Sequence, residues 1–198
     1  LRTDSRRLFR YLWLYFKAGR PIDLADEDIF YDLLHNSIRF QAYYPFLKVM
    51  VLDRDSGCPL ETMLRAFDEV LDLAVRSQDI ETKGEMLSLM LYYLLERWES
   101  GETADVLRAY LNYAMEEFAE VVQVTRLPFF IVDYRLIFLR YFFLTSENCT
   151  ANPLYMEYLA DTRQYIETIS YGKALADLNI LTSELQANSD DNISYIIT

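Results

Sequence analysis

Apolar residues return every three or four positions along nearly the whole of this 198-residue chain, the period of helices with one buried face. Leu8, Leu12, Tyr15 and Phe16 form the first stripe, in a helix over 5–18 with Asp4 as its cap. Gly19 stops that helix and Pro21 reopens the chain. A second helix is predicted over 23–37 with Ile29, Phe30 and Leu33 inward; its acids Asp23, Asp26, Glu27 and Asp28 fall in the first turns, where the helix dipole favours them. A third covers 39–53, and Pro45 is expected to kink or break it near Tyr44. Residues 53–58 read as a loop. Pro59 then opens a helix to Ser77 whose inner face is Leu60, Met63, Leu64, Phe67, Leu71 and Val75.

The second half has the same grammar. A helix capped by Asp79 or Thr82 runs to Trp98 and closes at Gly101; a long one follows from Glu102 to Thr125. Pro128 opens the most apolar stretch, which ends near Leu144, and Pro153 opens another helix to Tyr171. Gly172 separates the last helix, to Gln186, and the tail after it is expected to be frayed or docked as a short extended piece. Segments joined by such short connections pack as antiparallel neighbours. The expected fold is therefore all-α, with eight to nine helices as antiparallel hairpins in an irregular solenoid-like array or a multi-helix bundle. It reads as a single domain over 1–198 with a soft boundary near 53–58. Gly19-Arg20-Pro21-Ile22 echoes Gly57-Cys58-Pro59-Leu60, a hint of repeat that fits neither the tetratricopeptide nor the ankyrin spacing.

Composition narrows this picture. Five Gly and five Pro are too few for the turns of an all-β fold, and 52% hydrophobic content supplies a core. The apolar stretch from Leu127 to Leu144 approaches the length of a membrane span, but Asp133, Arg135 and Arg140 inside it favour a central helix of a helical body. Net charge is −12 and uneven: residues 1–20 hold six basic side chains against one acid, while the rest hold 13 against 30. Such acidity disfavours nucleic acid and suits a basic protein partner; the basic first helix is expected to face the acidic side of its own body. Two distant cysteines, Cys58 and Cys149, suggest a reducing, cytoplasmic setting, and the opening Leu1 leaves room for an upstream segment that has been removed.

Candidate chemistry is thin. Carboxylate pairs one helical turn apart occur at Asp28 and Asp32, Asp68 and Asp72, and Glu116 and Glu120. Asp68-Glu69-x-x-Asp72 is similar in spacing to the magnesium-binding motif of helical isoprenoid enzymes, yet the cations that would hold diphosphate are scarce, so a solvated acidic face is expected. His35 is the single histidine and no Glu precedes it by three, which excludes a di-iron bundle; it reads as a helix-end residue. Cys58 reads as an ordinary loop thiol. No metal, cofactor or catalytic residue is assigned, and an enzyme is not expected.

Aromatic load is the one unusual feature, with 16 Tyr, 12 Phe and 2 Trp. Tyrosine suits places where apolar surface meets a partner. Because Pro45 interrupts its stripe, the run Phe40, Tyr43, Tyr44 and Phe46 is the expected partner-binding patch. The resulting expectation is a non-enzymatic interaction or scaffold module with an acidic, Tyr-rich surface for a protein or peptide, with self-association as one form of it. The alternative is a ligand-sensing regulatory domain holding a small apolar or aromatic compound between central helices, near Tyr134, Arg135 and Phe138.

Overall fold

The computed structural model describes residues 2–24, 30–102, 104–146 and 149–196, with side chains from Ser5 to Ala187 except at 31–33 and 38. The fold is all-α, and among the described residues there are nine α-helices and no strand. These are α1 (Arg2–Lys17), α2 (Tyr31–Asn36), α3 (Ile38–Ser56), α4 (Leu60–Arg76), α5 (Ile80–Glu99), α6 (Asp105–Thr125), α7 (Pro128–Thr145), α8 (Pro153–Thr168) and α9 (Gly172–Ile196). Two compact units divide the chain, Leu1–Met90 and Leu91–Thr198, with the boundary inside α5. No helix among the described residues is long and apolar enough to cross a membrane.

In the first unit α3 is the central element. Phe40, Ala42, Tyr43, Tyr44, Phe46, Leu47, Val49 and Met50 are all buried, so the helix is apolar around most of its circumference, as a helix enclosed by neighbours must be. That enclosure explains why Pro45 does not break it: α3 runs on through the proline to Ser56. A lost backbone hydrogen bond costs less than exposing those side chains. Helix α1 packs parallel to α3, with Phe9 stacked on Tyr43 at 4.2 Å and Trp13 at 5.5 Å from Phe46. Its buried stripe is Ser5, Phe9 and Phe16, with Leu8, Leu12 and Tyr15 only half-buried. Helix α4 returns antiparallel after Gly57, placing Phe67 at 5.8 Å from Phe46. Its inner face gains Val70 and Ala74, whereas Val75 is 56% exposed.

Several boundaries differ from the pattern-based ones. Residues 23 and 24 are not helical, helical structure is described from Phe30 onward, and Ile29, Asp26, Glu27 and Asp28 lie outside the described residues. The loop expected over 53–58 shrinks to Gly57–Pro59, because Asp53–Ser56 complete the last turn of α3. Helix α9 continues to Ile196 instead of giving way to an extended tail.

A polar network joins α1, α3 and the start of α5. Arg39, itself buried, pairs with Asp79 and lies 3.6 Å from Glu81; Tyr43 donates its hydroxyl hydrogen to Glu85, which also receives Arg6. The basic first helix thus turns one arginine onto its own body, as expected, while Arg7 and Arg10 are exposed.

The second unit is organised around α7. Helix α6 packs antiparallel on it through Phe118, whose ring meets Phe130 and Tyr134 edge-on at 5.8 and 5.9 Å. Helices α8 and α9 form a hairpin whose two arms both rest on α7. Val132, Leu136, Leu139, Tyr155, Leu159, Ile166, Leu178 and Leu181 make the shared core. The charges inside α7 find partners at its edges: Arg140 bridges Glu99 and Glu184, and Arg135 lies over the rings of Tyr158 and Tyr165 at 5.6 and 5.0 Å. Burial and the nearby charges of Asp133 and Asp177 keep the Tyr92 hydroxyl protonated far above its ordinary range.

Candidate functional site

The aromatic run on α3 is not a surface. Phe40, Tyr43 and Phe46 are fully buried and Tyr44 is 3% exposed, which corrects the expectation of an outward patch. The expectation rested on a proline break that α3 does not have. Tyr43 and Tyr44 solve their polar ends internally, Tyr43 through Glu85 and Tyr44 through the Leu24 carbonyl at 2.7 Å.

A groove of about 610 Å³ opens instead on the second unit, between α7 and the first half of α8. Local sequence explains its construction. Pro128 and Pro153 each occupy the first helical position, where a missing N–H costs nothing. Asn152 caps α8, its side-chain oxygen accepting the N–H groups of Leu154 at 3.0 Å and Tyr155 at 3.4 Å. On α7, residues 134, 138 and 142 recur at one helical turn, so Tyr134, Phe138 and Phe142 line one wall. On α8 the stripe Leu154, Tyr158 and Asp161 does the same, with Tyr155 and Glu157 beside it. Leu154 stands at the lip, 75% exposed.

The rings hold one another in place. Tyr158 meets Phe138 edge-on at 5.2 Å, and Tyr155 stacks on Phe142 at 5.1 Å. Tyr155 also donates to the Leu139 carbonyl, which ties α8 to α7. Burial raises the hydroxyls of Tyr134 and Tyr155, and it pushes Tyr158 up to about 12 against the pull of Arg135. All three are neutral at physiological pH, so the negative charge among the lining residues belongs to Glu157 and Asp161.

The structure therefore brings together two of the three residues expected at a central-helix ligand site, Tyr134 and Phe138. Arg135 is displaced from the groove lining onto the Tyr158 and Tyr165 rings. Sequence reasoning missed Phe142, Tyr155, Tyr158, Glu157 and Asp161. Their spacing on α8 is visible in the chain, but a stripe of that kind fits a core face equally well.

Other candidates stay apart from this groove. Asp68, Glu69 and Asp72 are exposed on the outer face of α4, and Asp72 sits 3.9 Å from Arg76. Glu116 and Glu120 are exposed on α6, and the side chains of Asp28 and Asp32 lie outside the described residues. His35 falls in the last turn of α2. Cys58 and Cys149 are buried and not joined in a disulfide, and burial raises the thiol of Cys149; Cys58 lies in the short connection after α3, its side chain buried. Among the described residues no group of three or more His, Cys, Asp or Glu could hold a metal ion.

Comparison with protein families, characterised proteins and solved structures finds no match. The functional reading accordingly rests on the groove and its chemistry.

Proposed function

We propose that this chain is a non-enzymatic interaction module whose groove between α7 and α8 receives a segment of a partner polypeptide. The observation that carries it is the groove's construction: about 610 Å³, open to solvent, with five aromatic rings held by mutual packing. Preset Tyr and Phe side chains offer large contact area without the entropic cost of ordering on binding. Energetically dominant positions at interfaces are of this kind. An open trough suits a chain that enters and leaves along its length, whereas small-molecule sites enclose most of their ligand.

The ligand-sensing reading keeps one specific support. The groove volume lies within the range of about 300–1,000 Å³ typical of small-molecule sites, and Tyr134 and Phe138 line it.

Selection of a random peptide library on the folded protein, with counter-selection on Leu154→Asp, separates the two. Leu154 is at the exposed lip, so the substitution changes the groove and not the core. Peptides that bind the parent protein and lose affinity for the variant are the expected result. If no peptide discriminates the two proteins, while indole shifts the ring resonances of Tyr134 and Phe138, the sensor reading replaces this one.

A further inference from the structure

We propose that the segment received by the α7–α8 groove carries arginine, with Glu157 and Asp161 accepting its guanidinium. The inference rests on the groove being a segment-binding site and adds the chemistry of the occupant. Glu157 and Asp161 are one helical turn apart on α8, both exposed and both lining the groove. Among the described residues neither has an ion-pair partner, unlike Glu99, Glu102 and Glu184 of the same unit, which pair with Arg140 or Arg97. Two like charges at this spacing repel along the helix, and a cation seated between them relieves the repulsion. The Asn152 side chain already takes the N–H groups of Leu154 and Tyr155, so this start of α8 is not left as an anion site.

The rings select arginine among cations. Arg135 already lies over Tyr158 and Tyr165, and Arg140 lies 5.8 Å from the Phe143 centroid, so aromatic faces of this unit do accept guanidinium. A guanidinium can stack on a ring while its N–H fork engages carboxylates, which a lysine ammonium does not do. Phe138 and Tyr158 touch edge-on at 5.2 Å, which makes a wall and not a cage around a quaternary ammonium. The unit as a whole reinforces the choice: residues 91–198 hold 16 acidic against 7 basic side chains.

The test uses four synthetic probes: a leucine-arginine peptide, its lysine and citrulline counterparts, and a leucine-glutamine peptide. Each is titrated by calorimetry into the full chain and into E157Q/D161N, E116Q/E120Q and L154D. The arginine peptide is expected to bind about tenfold tighter than the citrulline one, with lysine between them. E157Q/D161N should abolish that advantage; E116Q/E120Q, which removes two charges from α6, should leave the advantage intact. Equal binding of the arginine and citrulline peptides overturns the proposal, and so does an equal loss in E116Q/E120Q, which would mark general acidity. In either case the groove reading survives if L154D still weakens binding. If no probe responds to L154D, both readings fall.

Discussion

Tyr155 donates its hydroxyl hydrogen to the backbone carbonyl of Leu139 at 3.2 Å, across the contact between α8 and α7. A helical carbonyl has a second lone pair, so it accepts this bond without leaving the helix. The same ring stacks on Phe142, so Tyr155 is both a strut and a groove wall. Tyr155→Phe keeps the ring and removes the bond, and an unfolding free energy lower by about 1 kcal/mol is expected from urea titration. Tyr155→Ala also removes the stack and should cost about 3–5 kcal/mol. Equal losses for the two variants would assign the whole effect to the hydroxyl.

Tyr43 and Tyr44 give a second expectation. Tyr44 reaches the Leu24 carbonyl and stands 5.4 Å from Phe30 and 5.9 Å from Phe40, while Tyr43 stacks on Phe9. Replacing both by Ser leaves two cavities and strands buried polar partners. A loss of several kcal/mol is expected, with a fall in melting temperature of about 10 °C or more by scanning calorimetry. A change of only a degree or two would return these rings to the surface.

The punctuation of the fold was legible in the sequence because it is local. Gly19, Gly101, Pro128 and Pro153 each act through their own backbone geometry, and the helix ends fall where they stand. Pro45 was misread because its local penalty competes with the burial of Phe40, Tyr43, Tyr44 and Phe46, a tertiary term that neighbouring residues do not reveal. The groove was half-legible for the same reason. Tyr134 and Phe138 stand out on the most apolar helix, but Tyr155 and Tyr158 become walls only once α8 folds back on α7. Nothing in the spacing of α8 says which of its stripes is left uncovered.

Backbone geometry at two helix ends yields paired predictions. After α1, Gly19 at φ 66° closes with Gly19 N–H to Phe16 and Arg20 N–H to Tyr15 at 2.9 and 3.0 Å. After α8, Ser170 at φ 55° sits in the same arrangement, with Ser170 N–H to the Glu167 carbonyl and Tyr171 N–H to the Ile166 carbonyl at 3.1 and 3.2 Å. A Cβ is tolerated in this left-handed region at a cost that glycine avoids. Ser170→Gly should therefore stabilise the protein by about 0.5 kcal/mol and Gly19→Ala destabilise it by about 1 kcal/mol, both read by thermal unfolding. Nothing lies within 4 Å of a Cβ built on Gly19, so its loss would report the backbone alone.

The groove wall also predicts a pH dependence. Burial holds the Tyr158 hydroxyl up to about 12, against an ordinary value of 10.0 in the unfolded chain. Between those values the native state keeps a proton that the unfolded state releases, so stability from this group is intact below about pH 10 and is lost as pH rises toward about 12. Tyr134 and Tyr155 shift in the same direction, so the parent protein alone reports their sum. Tyr158→Phe removes one contributor and leaves the others. Its urea midpoint should fall less steeply than the parent's across that alkaline window, with parallel behaviour at neutral pH. Identical slopes would mean that Tyr158 titrates like a solvated phenol, and the closed ring wall that the groove depends on would not be its resting arrangement.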